Sequence, residues 1–132
     1  MQFSGTPVYM AQELFLKKSY DHSVDIFALG TLLYEIYTGE IPYYGLDPAD
    51  IKDKILKDSN LPSKGNITKE VLELVNSCRS NNPAQRPQAI KLLNSNAWWK
   101  SLIFLYNRKS KWCLYLTVSA KEESMEYNVN DE

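Results

Sequence analysis

The sequence predicts a mainly α-helical fold. Apolar residues recur at helical spacing in several stretches between residues 23 and 93, and most of these stretches are bounded by residues typical of helix ends. No strand-rich block and no internal repeat appear before residue 98. A chain of 132 residues with 44% hydrophobic residues is long enough for one modest core.

The first part of the chain is predicted to be extended. Pro7, with Gly5 before it, disfavours helix, so we expect a loop over residues 1–9. A short helical turn is predicted over residues 11–16.

The clearest predicted helix covers residues 23–38. Asp21 or Ser23 can cap its start, and Gly39 stands where a left-handed residue would end it. Its apolar residues do not leave a full polar face, which is typical of a helix buried inside a larger structure.

Three more helices are predicted downstream. Asp47 and Pro48 form an N-cap and first-turn pair that opens a surface helix reaching about residue 57. Thr68 caps a helix that ends near residue 79, and Pro87 begins the last one. The apolar side of that last helix is expected to comprise Ala89, Ile90, Leu92 and Leu93.

The segment after residue 98 has a different pattern. Two short aromatic and β-branched runs, 102–106 and 112–118, flank a polar turn, so residues 100–120 fit either a β-hairpin or a continued helix. A non-native extension from an altered reading frame is a further alternative. Residues 121–132 hold five acids against one lysine and are predicted to be a disordered tail.

Charge and cysteine content limit the function classes. A net charge of −1 argues against nucleic acid as the main partner, because phosphate binding needs a clustered basic surface. Cys78 and Cys113 have no metal-site spacing and fit reduced thiols. Neither a signal peptide nor a membrane span is evident, since charged and polar residues interrupt the stretch 97–118. We expect a cytoplasmic protein without a membrane or metal partner.

Three segments carry the strongest family signal. In order they read Gly-Thr-Pro-Val-Tyr-Met-Ala-Gln-Glu over residues 5–13, Asp-Ile-Phe-Ala-Leu-Gly over 25–30, and Asn-Pro-Ala-Gln-Arg-Pro over 82–87. Together they resemble the carboxy-terminal part of the protein-kinase catalytic domain, from the end of the activation segment onward. The resemblance implies a truncated helical lower lobe and a partial kinase domain over residues 1–99.

The first segment resembles the serine/threonine-kinase form Gly-Thr-Pro-x-Tyr-Met-Ala-Pro-Glu. The resemblance makes Gly5, Thr6, Pro7 and Tyr9 candidates for the loop that docks the protein substrate. In the family, the threonine matched by Thr6 bonds the catalytic aspartate and lysine. Gln12 departs from the family proline, and the loop loses the fixed φ that proline provides.

Glu13 and Arg86 match a buried ion pair of the family that ties the activation segment to the helices below it. A guanidinium offers a planar fork for a carboxylate, and removing one partner of a buried pair is costly. We therefore expect Arg86→Ala to destabilise the fold much more than Arg79→Ala. The single histidine, His22, is interpreted as a surface or helix-cap residue.

The central helix carries two further candidates. Asp25 matches the family aspartate that accepts hydrogen bonds from the catalytic loop; without that loop it is either an acceptor lacking its donors or a capping acid. Gly30 is expected to permit close helix packing, and a tolerated helical glycine is the alternative.

Phosphoryl transfer in this family uses ATP and Mg²⁺ held by a glycine-rich loop, a lysine, a catalytic Asp–Asn pair and an Asp-Phe-Gly motif. None of these motifs occurs in the 132 residues, so no catalytic residue or cofactor is assigned to this chain. Two hypotheses remain: a fragment of a serine/threonine kinase, inactive alone, or a non-catalytic kinase-like interaction module. A helical protein unrelated to kinases is a third, weaker alternative.

The partners expected from this interpretation are a protein substrate or the missing kinase segments. Without those segments, the helix over 23–38 would expose apolar groups and favour self-association. A further hypothesis is that the aromatic stretch 98–118 folds back over that face.

Overall fold

The computed structural model describes residues 6–95, and these residues confirm the mainly α-helical fold. Gly5, the 100–120 extension, the 121–132 tail and the proposed fold-back of residues 98–118 lie outside this part. The chain opens with a 3-10 turn at Pro7–Tyr9, which fills part of the predicted loop.

Within residues 6–95 the chain then forms five α-helices: α1 (Gln12–Phe15), α2 (Ser23–Thr38), α3 (Pro48–Lys57), α4 (Lys69–Cys78) and α5 (Ala89–Leu93). A second 3-10 turn lies at Pro83–Gln85, between α4 and α5.

Local capping chemistry explains where three of these helices begin or end. The Asp47 side chain accepts a hydrogen bond from the Asp50 N–H, and Thr68 does the same for Val71, which closes the first turns of α3 and α4. Gly39 takes the left-handed conformation at φ 74° after α2, as its position predicts.

The start of α5 differs from the prediction. Pro87 does not begin this helix; Gln88 is its N-cap and Ala89 its first residue. The buried side of α5 is also narrower than expected, because Leu92 is 3% exposed whereas Ile90 is 60% exposed. The preceding 3-10 turn and the bonds of Arg86 hold the chain in an extended conformation up to Gln88.

The core lies around α2. One face of α2 packs against α4, and Leu33, Tyr34 and Tyr37 join Val71 and Val75 in the larger apolar cluster. On another side of α2, the Phe27 ring packs in a second cluster with Ala11 of the first segment and Ile55 of α3, so α2 connects both halves of the described structure.

Gly30 lies at the closest approach of α2 and α4. A Cβ built on Gly30 would be 2.7 Å from the Cβ of Cys78 and 3.1 Å from the Val75 carbonyl oxygen. The first distance is shorter than real Cβ contacts and the second is tighter than most of them, so a side chain at residue 30 would push the two helices apart. Burial raises the pKa of the Cys78 thiol to about 11.

Candidate functional site

The candidate docking loop is a turn held by its own backbone. The Tyr9 N–H donates to the Thr6 carbonyl at 3.2 Å, and the Met10 N–H donates to the Pro7 carbonyl at 3.1 Å. Val8 points inward and is buried, while Thr6 is exposed. The turn therefore presents the Thr6 side chain to solvent while it remains attached to the core.

Tyr9 connects this turn to α2. Its hydroxyl donates to the Glu35 carboxylate at 2.5 Å. Burial, reinforced by the hydrogen bond to Glu35 and its negative charge, raises the pKa of Tyr9 to about 12. The sequence patterns did not indicate this bond, because 26 residues separate its partners and neither side chain signals the other.

Glu13 and Arg86 form a two-pronged ion pair inside the molecule. The two guanidinium NH groups of Arg86 lie 2.6 and 3.0 Å from the two carboxylate oxygens of Glu13. The side chains of Arg86 and Glu13 are 0% and 6% exposed. This pairing joins α1 to the segment after the second 3-10 turn.

Further contacts satisfy the rest of the Arg86 guanidinium. Its Nε donates to the Ser80 carbonyl at 2.9 Å, and one NH group also reaches the Ser23 carbonyl at 3.2 Å. Burial would raise the pKa of the Glu13 carboxyl, but the hydrogen bonds and charge of Arg86, together with a backbone hydrogen bond, outweigh it, so the net shift is downward. Glu13 is accordingly held as a carboxylate.

Gln12, which stands where the family has proline, adds a contact from α1 to the stretch just before the second 3-10 turn. Its side-chain amide donates to the Asn81 carbonyl, next to the second 3-10 turn. The lost rigidity of proline is thus accompanied by a hydrogen bond that proline cannot make.

The remaining site candidates lie on α2. Asp25 is in its first turn and is exposed. Gly30 follows about one and a half turns later, on the buried side. The structure brings Glu13 and Arg86 together, and among residues 6–95 no hydrogen bond or ion pair joins the Asp25 side chain to the docking turn or to that pair.

Arg79 is the residue that the sequence analysis misjudged. It is 0% exposed, its Nε donates to the Ser59 carbonyl at 3.0 Å, and it also bonds Thr31 and Tyr43. Arg79→Ala would leave a cavity in the interior, so it is not a surface control for Arg86→Ala. A cation just after a predicted amphipathic helix gives no sign of burial, so no sequence signal was available.

Among residues 6–95, no group of three or more His, Cys, Asp or Glu side chains is arranged to hold a metal ion. No helix in this part combines the length and apolar character needed to cross a bilayer.

The helical fold and the Glu13–Arg86 pair agree with a helical portion of a protein-kinase domain, and comparison with known proteins shows the family. Residues 4–95 match the family model of protein tyrosine and serine/threonine kinases. This chain belongs to the protein kinase family.

The similar curated proteins are serine/threonine kinases. The chain is 37% identical over 102 residues to the serine/threonine-protein kinase RUNKEL of Arabidopsis thaliana, covering 76% of this chain and 7% of that protein. A probable serine/threonine-protein kinase of Dictyostelium discoideum is 33% identical over 91 residues, which cover 68% of this chain and 10% of that protein. The cGMP-dependent protein kinase 2 of Mus musculus is 39% identical over 87 residues, which cover 64% of this chain and 11% of that protein. The chain thus spans about a tenth or less of the length of these three relatives.

Proposed function

We propose that this chain is the lower helical part of a serine/threonine kinase catalytic domain, running from the end of the activation segment onward. The full domain would transfer the terminal phosphoryl group of ATP to a protein substrate, with Mg²⁺ and ATP held by segments that these 132 residues do not include. The isolated chain is expected to transfer no phosphate.

The Glu13–Arg86 pair is the observation that carries this proposal. It fixes α1 directly after the Thr6–Tyr9 turn, and the Tyr9–Glu35 bond ties the last residue of that turn to α2. A turn anchored in this way at its carboxy-terminal end, with Thr6 exposed at the other end, is suited to receive an extended peptide. On this basis we propose substrate docking by Thr6, Pro7 and Tyr9. The same role for Gly5, and anchoring by Asp25 and Gly30, are proposed from the family resemblance alone.

The outer face of α2 supports the proposal that the kinase segments absent from these 132 residues are partners of this chain. Ala28, Leu29, Leu32 and Ile36 follow Asp25 at helical spacing, and none of these five is fully buried. Leu32 is 40% exposed in the middle of this stripe. An apolar stripe that begins at a carboxylate suits a segment that supplies apolar groups along α2 and backbone N–H groups at Asp25. Self-association through the same stripe is the expected behaviour of the chain when that segment is absent.

A chimera tests the proposal directly. Residues 6–95 of this chain replace the matched segment of mouse cGMP-dependent protein kinase 2, and transfer of labelled phosphate from ATP to a peptide substrate is measured. The matched control carries Glu13→Gln in the same chimera, and the isolated 132-residue chain is assayed beside it. We expect transfer by the chimera, reduced transfer by the control and none by the isolated chain.

Folding and nucleotide binding of the chimera are measured separately, by circular dichroism and ATP titration. A chimera that folds and binds ATP but transfers no phosphate would refute the proposed role in phosphoryl transfer. That outcome would favour the alternative, a non-catalytic kinase-like module that uses the same helices for protein interaction.

A further inference from the structure

Arg79 joins three separate parts of the structure from the interior. It is the first residue after α4, and its guanidinium donates to Thr31 of α2 and, at 3.1 Å, to the hydroxyl of Tyr43 in the 39–47 connection. Its Nε reaches the Ser59 carbonyl at 3.0 Å in the connection after α3. The Ser59 hydroxyl returns a hydrogen bond to the Arg79 carbonyl.

The partners of Arg79 are all neutral. None of the ion pairs among residues 6–95 includes it, in contrast to Arg86. Its charge instead faces aromatic rings, with the guanidinium carbon 4.5 Å from the Phe27 ring centre and 5.9 Å from that of Tyr43. Burial lowers the pKa of Arg79, so desolvation opposes its charge.

A buried charge of this kind is a poor source of stability. Replacing a whole buried ion pair by apolar side chains of similar volume is often neutral or stabilising, whereas removing one partner is costly because a buried charge is left uncompensated. Arg79 belongs to none of the ion pairs among residues 6–95, so its replacement leaves no such charge behind. A benefit in conformational specificity is the alternative explanation for such a group. The directional hydrogen bonds of Arg79 suit that role, since each bond requires one placement of its acceptor.

The segment that most needs such a restraint is the 39–47 connection. Tyr43 has φ 61°, a left-handed conformation that is unfavourable for a residue with a Cβ. Its carbonyl accepts the Leu46 N–H at 3.1 Å, one residue before the Asp47 cap of α3. The conformation of Tyr43 therefore affects where α3 begins.

We propose that Arg79 is a positioning residue that holds Tyr43, and through it the 39–47 connection and the start of α3, in one conformation while adding little to global stability. The proposal rests on the packing of this chain alone and does not depend on kinase activity.

Amide hydrogen exchange of the 132-residue chain, followed by NMR, tests it. The reporter is the Leu46 N–H, which donates a hydrogen bond to the Tyr43 carbonyl. The reference is the Lys18 N–H, which donates to the carbonyl of Glu13, the ion-pair partner of Arg86, at 3.0 Å. Arg79→Met removes the guanidinium and keeps an unbranched apolar chain. Lys57→Met removes an exposed cation and is the matched control.

Because hydrogen bonds to a charged group are among the stronger ones, we expect Arg79→Met to raise the Leu46 exchange rate relative to Lys18 by about tenfold or more. Tyr43→Phe, which removes only the hydroxyl, should raise the same ratio by a smaller factor. The melting temperature of both variants should stay close to that of the original chain, and Lys57→Met should change neither quantity.

Three results would overturn the proposal. Equal acceleration at Leu46 and Lys18 would mean that Arg79 supports the whole fold. An unchanged Leu46 rate in both variants would mean that other contacts hold the connection. Failure of Arg79→Met to fold would contradict a small contribution to global stability, and Tyr43→Phe would still measure the local effect.

Discussion

Arg86→Ala is the change with the largest expected effect on stability. It leaves the Glu13 carboxylate, whose side chain is 6% exposed, without its two charge-assisted hydrogen bonds. Removing one partner of a buried pair typically costs about 3–5 kcal/mol, against a total stability of about 5–15 kcal/mol for an ordinary domain. In a domain of this size, each kcal/mol lowers the melting temperature by about 4–8 °C, so we expect a decrease of at least about 12 °C.

Urea unfolding followed by circular dichroism measures the loss. The control is Lys64→Ala, which breaks the ion pair with Glu40 whose side chains are 53% and 57% exposed. Exposed ion pairs contribute little because water screens them, so this control should unfold at nearly the same urea concentration as the original chain. Equal losses in Arg86→Ala and Lys64→Ala would refute the assignment of the buried pair.

The pH dependence provides a second signature of the same pair. The pKa of Glu13 is lowered in the folded chain, so its contribution is present above the ordinary carboxyl pKa and is lost as the pH falls through the lowered value. In Arg86→Ala, burial without the cation should raise that pKa instead. As the pH falls through that raised pKa toward the ordinary carboxyl pKa, the variant should therefore become more stable than it is at neutral pH. The original pair has the opposite pH dependence.

Three further predictions concern local features of the helices. Gly30→Ala should destabilise by about 1–3 kcal/mol despite the better helix propensity of alanine, because the new methyl group would overlap Cys78; a gain in urea midpoint would contradict this packing. Asp47→Ala should cost about 0.5–2 kcal/mol through loss of the α3 cap, measured in the same way, and Asp47→Asn should restore most of it. Tyr9 contributes stability that is present below pH 10 and lost as the pH rises through about 12, so alkaline unfolding of Tyr9→Phe, which lacks the bond to Glu35, should be less steep over that range; identical profiles would rule out the raised pKa.

Helix bounds were the part of the fold most accessible from the sequence. The predicted start and end of α2 agree with Ser23–Thr38, and the caps at Asp47 and Thr68 are those observed. Such signals act within about four residues, so a single sequence contains both the capping group and the backbone that it satisfies. The start of α5 was predicted less well, because the bonds of Arg86 and the neighbouring 3-10 turn compete with the local preference at Pro87.

The candidate site was only partly accessible. Glu13 and Arg86 were selected together because two short motifs resemble the same family, and the structure brings them into contact across 73 positions of sequence. Tyr9 was placed in the loop, but its bond to Glu35 was not anticipated. Side-chain pairing of this kind depends on how α2 rotates toward the loop, which no local pattern specifies.

The sequence by itself determined the helical class, most helix ends and the protein-kinase family, because these follow from short-range periodicity, capping and motif order. Only the tertiary structure decided that Arg79 is buried. Arg79 contacts residues 20, 36 and 48 positions away, and its environment exists only after α2, α4 and two connections have packed. Burial is a property of that packing, since the same guanidinium would be ordinary and solvated at the end of an isolated helix.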